Sequence, residues 1–233
     1  MFFYYGFNLL YFILVMPAVL LALIAQANVS STFKKYSRVF TRRNISGAEA
    51  AQMVLAQNGV FGVRIERVSG RLTDHFDPRS NVIRLSEAVY SSTSAAAVGV
   101  AAHEAGHAVQ YAEGYAPMKV RAAIIPACNI GSQLAFPLVL LGVLFSYPPI
   151  AYIGVLAFGV AALFQLVTLP VEFNASARAM RAIRDSHSFD EEEAKSSRRV
   201  LTAAAMTYVA ALATSLANLL SLAGLAGGSR RRK

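Results

Sequence analysis

The sequence predicts a mainly α membrane protein, a helical bundle with three or four membrane helices and a small cytoplasmic α+β portion. Three observations carry this. Over half of the 233 residues are apolar and only 15% are charged, against about 25% in an average soluble protein. The apolar residues gather into runs long enough to cross a bilayer. The basic residues gather beside those runs, at Lys34, Lys35, Arg38, Arg42 and Arg43 and again at Arg230 to Lys233. Placed so, a net charge of +9 reads as a topology signal with a lipid bilayer as partner. It does not read as a surface for nucleic acid.

The whole chain, 1–233, is read as one membrane-embedded domain. Its first segment, 1–27, contains the apolar run 7–26 and precedes any charge. Ala25-Gln26-Ala27 resembles a signal-peptide cleavage site, but the basic n-region is missing and the run is too long for an h-region. The segment is expected to be an uncleaved anchor, bent at Pro17. In 28–127 the composition becomes soluble-like. Ser46 followed by Glu49 is a capping box that opens a helix to about Gln57, and Asn58-Gly59 closes it. Val60 to Val68 is expected as a strand. Asp77-Pro78 is turn chemistry, and Asn81 to Leu85 is a second short strand. That strand pairs ordinarily within a sheet or offers an edge to an extended peptide; the sequence leaves both open. Ser86 is expected to cap a helical segment reaching Tyr90. Ser94 caps the Ala-rich helix that runs to Glu113 and stops at Gly114.

Two apolar runs, about 128–147 and 150–170, are separated only by Ser146-Tyr147-Pro148-Pro149 and predict a transmembrane hairpin. Residues 171–199 form a charged helix and loop. The acidic cluster Asp190 to Glu193 reads as a solvated helix N-terminus; it lacks the ligand spacing of a calcium loop. The last run, 200–226, is a membrane or core helix. Basic residues after the first span place 28–127 in the cytoplasm, and Arg178, Arg181 and Arg184 agree with that side. Both ends of the last run are basic, so its crossing is undecided. The single Cys128 cannot form an internal disulfide and reads as inert packing.

The chemistry lies in His103-Glu104-Ala105-Gly106-His107. On a helix His103 and His107 stand about 40° apart and one turn above each other, so both imidazoles can face one zinc ion. Glu104 lies about 100° round from His103, near the metal without being a ligand. This is the H-E-x-x-H arrangement, with Glu as general base toward zinc-activated water. The helix is otherwise Ala, Val and Gly from Ala95 to Ala102, where three ionisable groups would be costly without partners or a metal. The small residues also leave room for another helix to approach. A catalytic zinc takes a third protein ligand. Glu172, just after a long apolar run and on the same inferred side, is either that ligand or a solvated residue at a helix start.

His103 to Gln110, preceded by Leu72 to Arg79 and Leu85-Ser86-Glu87, resembles the YugP-type neutral zinc metallopeptidases. Leu169 to Ser176 and Thr207-Tyr208-Val209-Ala210 carry the resemblance on, so it covers nearly the whole chain from about residue 45. The family is itself similar to the HtpX-like and CAAX-prenyl membrane proteases. The resemblance implies a zincin-like catalytic portion, one catalytic Zn2+ held by His103, His107 and Glu172, and Glu104 as catalytic base. Ser176 stands where those relatives carry Asp beside the metal, which changes the group available to orient a ligand histidine. The function expected is a membrane-bound zinc-dependent endopeptidase, a hydrolase acting on protein or peptide, membrane-associated substrates included, in a bacterial inner membrane with its active site toward the cytoplasm. A catalytically silent zinc-binding scaffold or assembly factor is the alternative; a transporter is disfavoured because the spans lack the charges of an ion path. His75, Arg178 and His187 are candidates for stabilising an oxyanion, His75 reading first as a loop-stabilising residue and His187 as solvent-exposed.

Overall fold

The computed structural model describes residues 2–70 and 72–228; the basic tail Arg230 to Lys233 lies outside the described residues. In chain order these form α1 (Phe2–Tyr36), α2 (Gly47–Gln57), β1 (Arg64–Val68), β2 (His75–Asp77), β3 (Val82–Ser86), α3 (Glu87–Tyr90), α4 (Ala95–Ala112), α5 (Ala116–Leu144), α6 (Pro148–Asp185) and α7 (Glu191–Gly228). The protein is thus a mainly α membrane protein with a small three-stranded sheet. Within α1, α5, α6 and α7 lie stretches long and apolar enough to cross a membrane. The chain separates into two compact units, Met1–Gln26 with Lys119–Leu169 and Thr207–Lys233, and Ala27–Met118 with Pro170–Met206.

The first unit is built from the apolar stretches. Leu156 is 72% exposed, and Leu144 and Phe145 are each 70% exposed. Large side chains turned outward in this number suit a hydrocarbon surrounding. Inside, small residues let helices meet closely, as in other membrane bundles. A Cβ at Gly131 of α5 would stand 2.5 Å from the Ala157 carbonyl oxygen of α6. The Thr214 hydroxyl of α7 lies 2.8 Å from Ala210 O of its own helix and 3.2 Å from Ala18 O of α1. α1 continues through Pro17, α5 through Pro126 and Pro137, and α6 through Pro170. α5 begins at Ala116 and α7 at Glu191, well before the apolar runs do. Hydropathy marks the part of a helix that suits lipid, not the part that keeps its hydrogen bonds.

The second unit has a conventional core. Val54, Ile83, Leu85, Val89, Val98, Val109 and Ile183 are fully buried, each worth about 1.5–3 kcal/mol relative to exposure. α2 starts as expected: Ser46 Oγ accepts the Glu49 N–H at 3.3 Å while Glu49 Oε2 accepts the Ser46 N–H at 2.7 Å. The first strand is shorter than the expected Val60 to Val68, because Gly59 and Gly62 take φ of +65° and +80° and break the extended run. The sheet order is β1-β3-β2, with β1 parallel and β2 antiparallel to β3. β3 is therefore the central strand, paired on both sides, and Val82 to Leu85 offers no free edge to a peptide. Ser86 has the backbone of an N-cap, but its side chain makes no cap bond. Instead Asp74 takes both the Ser86 N–H at 2.7 Å and its hydroxyl at 3.1 Å. The acidic cluster begins α7 as expected, yet Glu193 is buried. It accepts N–H groups from Asp190 at 2.8 Å and Arg42 at 2.7 Å. Cys128 is free and half-buried.

The β2–β3 hairpin turns on Asp77. Its carboxylate accepts from Ser80 Oγ at 2.6 Å, Arg84 Nη1 at 2.9 Å and the Arg79 N–H at 3.0 Å. These donors, Ser80 first, hold the carboxyl well below the ordinary carboxylate range. A carboxyl depressed on folding stabilises above its unfolded value of about 3.9, and that contribution is lost as pH falls through the folded value. Hydrogen-exchange protection of the 75–86 amides, corrected for intrinsic rates, is expected to fall once the pH drops below about 4. Asp77→Asn should start with lower protection and lack that acid step; the same step in both proteins would rule Asp77 out as its source.

Candidate metal centre

The sequence builds α4 as a slim rod with closed ends. Ser94 Oγ accepts the Ala97 N–H at 3.2 Å. Gly114 follows the helix at φ +68°, and the Tyr115 N–H returns to Gln110 O at 2.9 Å, which satisfies a terminal carbonyl. Midway along, a Cβ at Gly106 would stand 2.6 Å from the Ala175 carbonyl oxygen of α6. Only glycine permits that approach without a shift, and the approach sets Glu172 of α6 opposite both histidines of α4.

His103 Nε2 lies 3.3 Å and His107 Nε2 3.4 Å from Glu172 Oε2, and the three ligand atoms are all within 4.8 Å of one another. Glu172 is 2% and His107 8% exposed. The fit to an ion can be tested on these lengths. Ligands about 2.0–2.2 Å from a tetrahedral zinc stand about 3.3–3.5 Å from each other, which is the spacing of both His–Glu pairs. Two imidazoles and one carboxylate are also a donor set that suits zinc and leaves a fourth position open. Glu104 lies outside this trio: its Oε2 accepts the Phe76 N–H of β2 at 3.0 Å.

The far sides of both rings are engaged. Gln110, fully buried, has its Nε2 2.8 Å from Val171 O and 2.9 Å from Asn174 Oδ1. Those two acceptors use both N–H bonds of the amide, so Gln110 Oε1 faces His107 Nδ1 at 3.0 Å as an acceptor. His107 must then carry its proton on Nδ1, leaving the Nε2 lone pair toward Glu172. Asn174 Oδ1 is fixed in turn by Arg178 Nε at 2.8 Å. The His103 Nδ1 contact is Ser176 Oγ at 3.1 Å. Ser176 thus reaches His103 with a neutral hydroxyl. Burial opposes charge on His107, but the adjoining Glu172 carboxylate outweighs it and raises the pKa above the ordinary imidazole value; a metal ion would compete with that proton.

The remaining candidates are elsewhere or otherwise occupied. Arg178 does not bridge to Glu172 or Ser176 and does not face lipid unpaired: its Nη2 lies 2.7 Å from Glu113, and it holds the Glu113 carboxyl below its ordinary value. His75 is exposed on β2, its Nδ1 2.7 Å from Thr73 O, the loop-stabilising role expected. His187 is exposed in the loop before α7. Sequence reasoning gave no role to Gln110, Asn174 or Phe76. A polar Gln three residues after His107, on a helix otherwise so apolar, was the available signal for the first. The other two act through a distant helix and a backbone N–H, and neither leaves a local trace.

The chain as a whole matches a known class. A family profile described as "Putative neutral zinc metallopeptidase" matches residues 11–227, and the chain belongs to that family. It is 43% identical over 212 residues to a protein of Bacillus subtilis (strain 168) named "Putative membrane protease YugP", covering 91% of this chain and 94% of that one. No solved structure matches.

If Gln110 orients His107, Gln110→Leu should weaken zinc binding by about 10–100-fold in chelator competition while helix content stays unchanged. Unaltered affinity would reduce Gln110 to packing.

Proposed function

We infer that the protein is a membrane-bound, zinc-dependent endopeptidase with His103, His107 and Glu172 as metal ligands and Glu104 as general base. The observation that carries this is the convergence of His103 Nε2, His107 Nε2 and Glu172 Oε2 at ligand spacing, with Glu104 one helical position from His103 yet outside the trio. When bound, the ion supplies Lewis acidity toward the scissile carbonyl and brings the pKa of water toward about 7. The protein's own groups do the rest. His103 and His107 hold their lone pairs toward one point because Ser176 and Gln110 occupy their opposite nitrogens. The Phe76 N–H restrains Glu104, whose carboxylate takes the proton of the attacking water and delivers it to the leaving amine. Arg178 is engaged by Glu113 and Asn174 and so gives no support to an oxyanion role. The substrate is protein or peptide, at or near the membrane given the chain's long apolar helices.

Glu104→Gln should keep stoichiometric zinc and lose at least about 10²-fold in cleavage of a casein-like substrate in mild detergent. Glu172→Ala should lose the zinc. Equal cleavage by wild type and Glu104→Gln would sink the peptidase reading and leave the silent scaffold; full zinc retention by Glu172→Ala would remove it from the ligand set.

The active site is proposed to face the cytoplasm of a bacterial inner membrane, from the Lys and Arg residues after the first apolar stretch. In a Cys128→Ser background, an impermeant thiol reagent added to spheroplasts should label Tyr147→Cys and spare Ser91→Cys until the cells are opened. The reverse pattern would invert the topology.

A further inference from the structure

Residues 170–185 of α6 and 191–206 of α7 enclose a groove of about 390 Å³ in the second unit. Its floor is apolar, with Phe173, Met180, Leu201 and Met206; Phe173 is 47% and Met206 41% exposed. Its rim carries Arg181, Arg184 and Arg198. Among the described residues none of these three arginines makes an ion pair, in contrast to Arg178, which is paired with Glu113. Its lining also includes Ser176, the residue against His103.

The sequence places this groove at a definite level. No charged residue occurs in 150–171 or in 200–228, whereas Arg178, Arg181 and Arg184 follow the first run and Arg198 and Arg199 precede the second. Phe173, Leu201 and Met206 therefore lie where the two runs end, and Met180 and the guanidinium groups lie where charge begins. A bilayer changes from acyl chain to phosphate over the same distance. Three unpaired guanidinium groups on one rim match phosphate oxygens, which Arg binds through paired N–H donors. We propose that this groove binds a single anionic phospholipid, its phosphate against Arg181, Arg184 and Arg198 and an acyl chain along Phe173, Met180 and Met206. An anionic phospholipid meets both halves of the groove, whereas free phosphate meets only the rim. A lipid so seated would form part of the wall behind Ser176.

The test uses the full chain in mild detergent. Native mass spectrometry is run with equimolar phosphatidylglycerol and phosphatidylcholine of matched chains. The wild type should retain phosphatidylglycerol at least about fivefold better. The R184A/R198A protein should lose that preference while keeping its zinc and helix content, and R38A/R43A, which alters basic residues outside the groove, should keep it. Phosphatidylglycerol with a photoreactive acyl chain should crosslink in the wild type to peptides containing Phe173 to Met180 or Leu201 to Met206, a readout that needs no variant to fold. Equal retention of the two lipids, an equal loss in R38A/R43A, crosslinks confined to other peptides, or displacement of the lipid by millimolar inorganic phosphate would each overturn the proposal. Lipid retention does not require catalysis, so Glu104→Gln should bind as the wild type does whether or not the peptidase reading holds.

Discussion

Everything at the candidate centre depends on how near α6 comes to α4. Gly106 lies against the Ala175 carbonyl with no room for a side chain, and one turn earlier on α6 Glu172 reaches two imidazoles within 3.4 Å. A carboxylate only 2% exposed would be costly to bury alone, by several kcal/mol even after relaxation. The two histidines offset that cost, and they can do so only at this helix separation. A methyl group at residue 106 would move the carboxylate away from the two imidazoles without changing any of the three residues. The position between the two histidines is thus constrained by packing as tightly as the trio is by its chemistry.

The outer contacts serve the same end. Glu113, Arg178, Asn174, Gln110 and His107 form a line of hydrogen bonds and one ion pair from an exposed carboxylate to a buried ring. Each member fixes the orientation of the next: the guanidinium sets the Asn amide, and the Asn and the Val171 carbonyl set the Gln amide. The Gln then sets the imidazole tautomer. His103 has a shorter support in Ser176. A buried polar network of this kind is favourable only when its members are satisfied, and here the Gln110 amide uses its oxygen and both N–H bonds. On the opposite side Glu104 is restrained by the backbone of β2, so the proposed base and the His–His–Glu trio are held by different elements.

Much of this was legible in the chain. Periodicity and capping residues gave α2 and α4, with Ser46–Glu49 and Ser94 acting as read, because caps are local hydrogen bonds between residues three apart. Composition gave the membrane helices, since apolar length is itself the requirement for crossing. The His103-Glu104-x-x-His107 face follows from helical geometry alone. Three-residue β2 was missed because His75-Phe76-Asp77 has too few positions for an alternation to register. β3 could not be placed at centre or edge, because strand order is set by partners remote in sequence. The helix start of α5 at Ala116 was not legible in the apolar run from about 128, since hydropathy falls off before the hydrogen-bond ladder does, whereas the acidic cluster did mark the start of α7.

By itself, then, the sequence determined the pair of histidines with their adjacent glutamate, the soluble-like insert between apolar runs, and the small residues that allow a helix to approach; all of these are fixed by spacing along one helix or by composition. Only the tertiary structure decided that Glu172 meets the histidines, that Ser176 and Gln110 stand behind them, and that Arg178 turns to Glu113. Gln110 is only three positions from His107, but the groups that orient it, Val171 and Asn174, and the Glu172 and Ser176 contacts join residues some 60 to 75 positions apart. Their geometry depends on the separation and rotation of two packed helices, which no local pattern encodes.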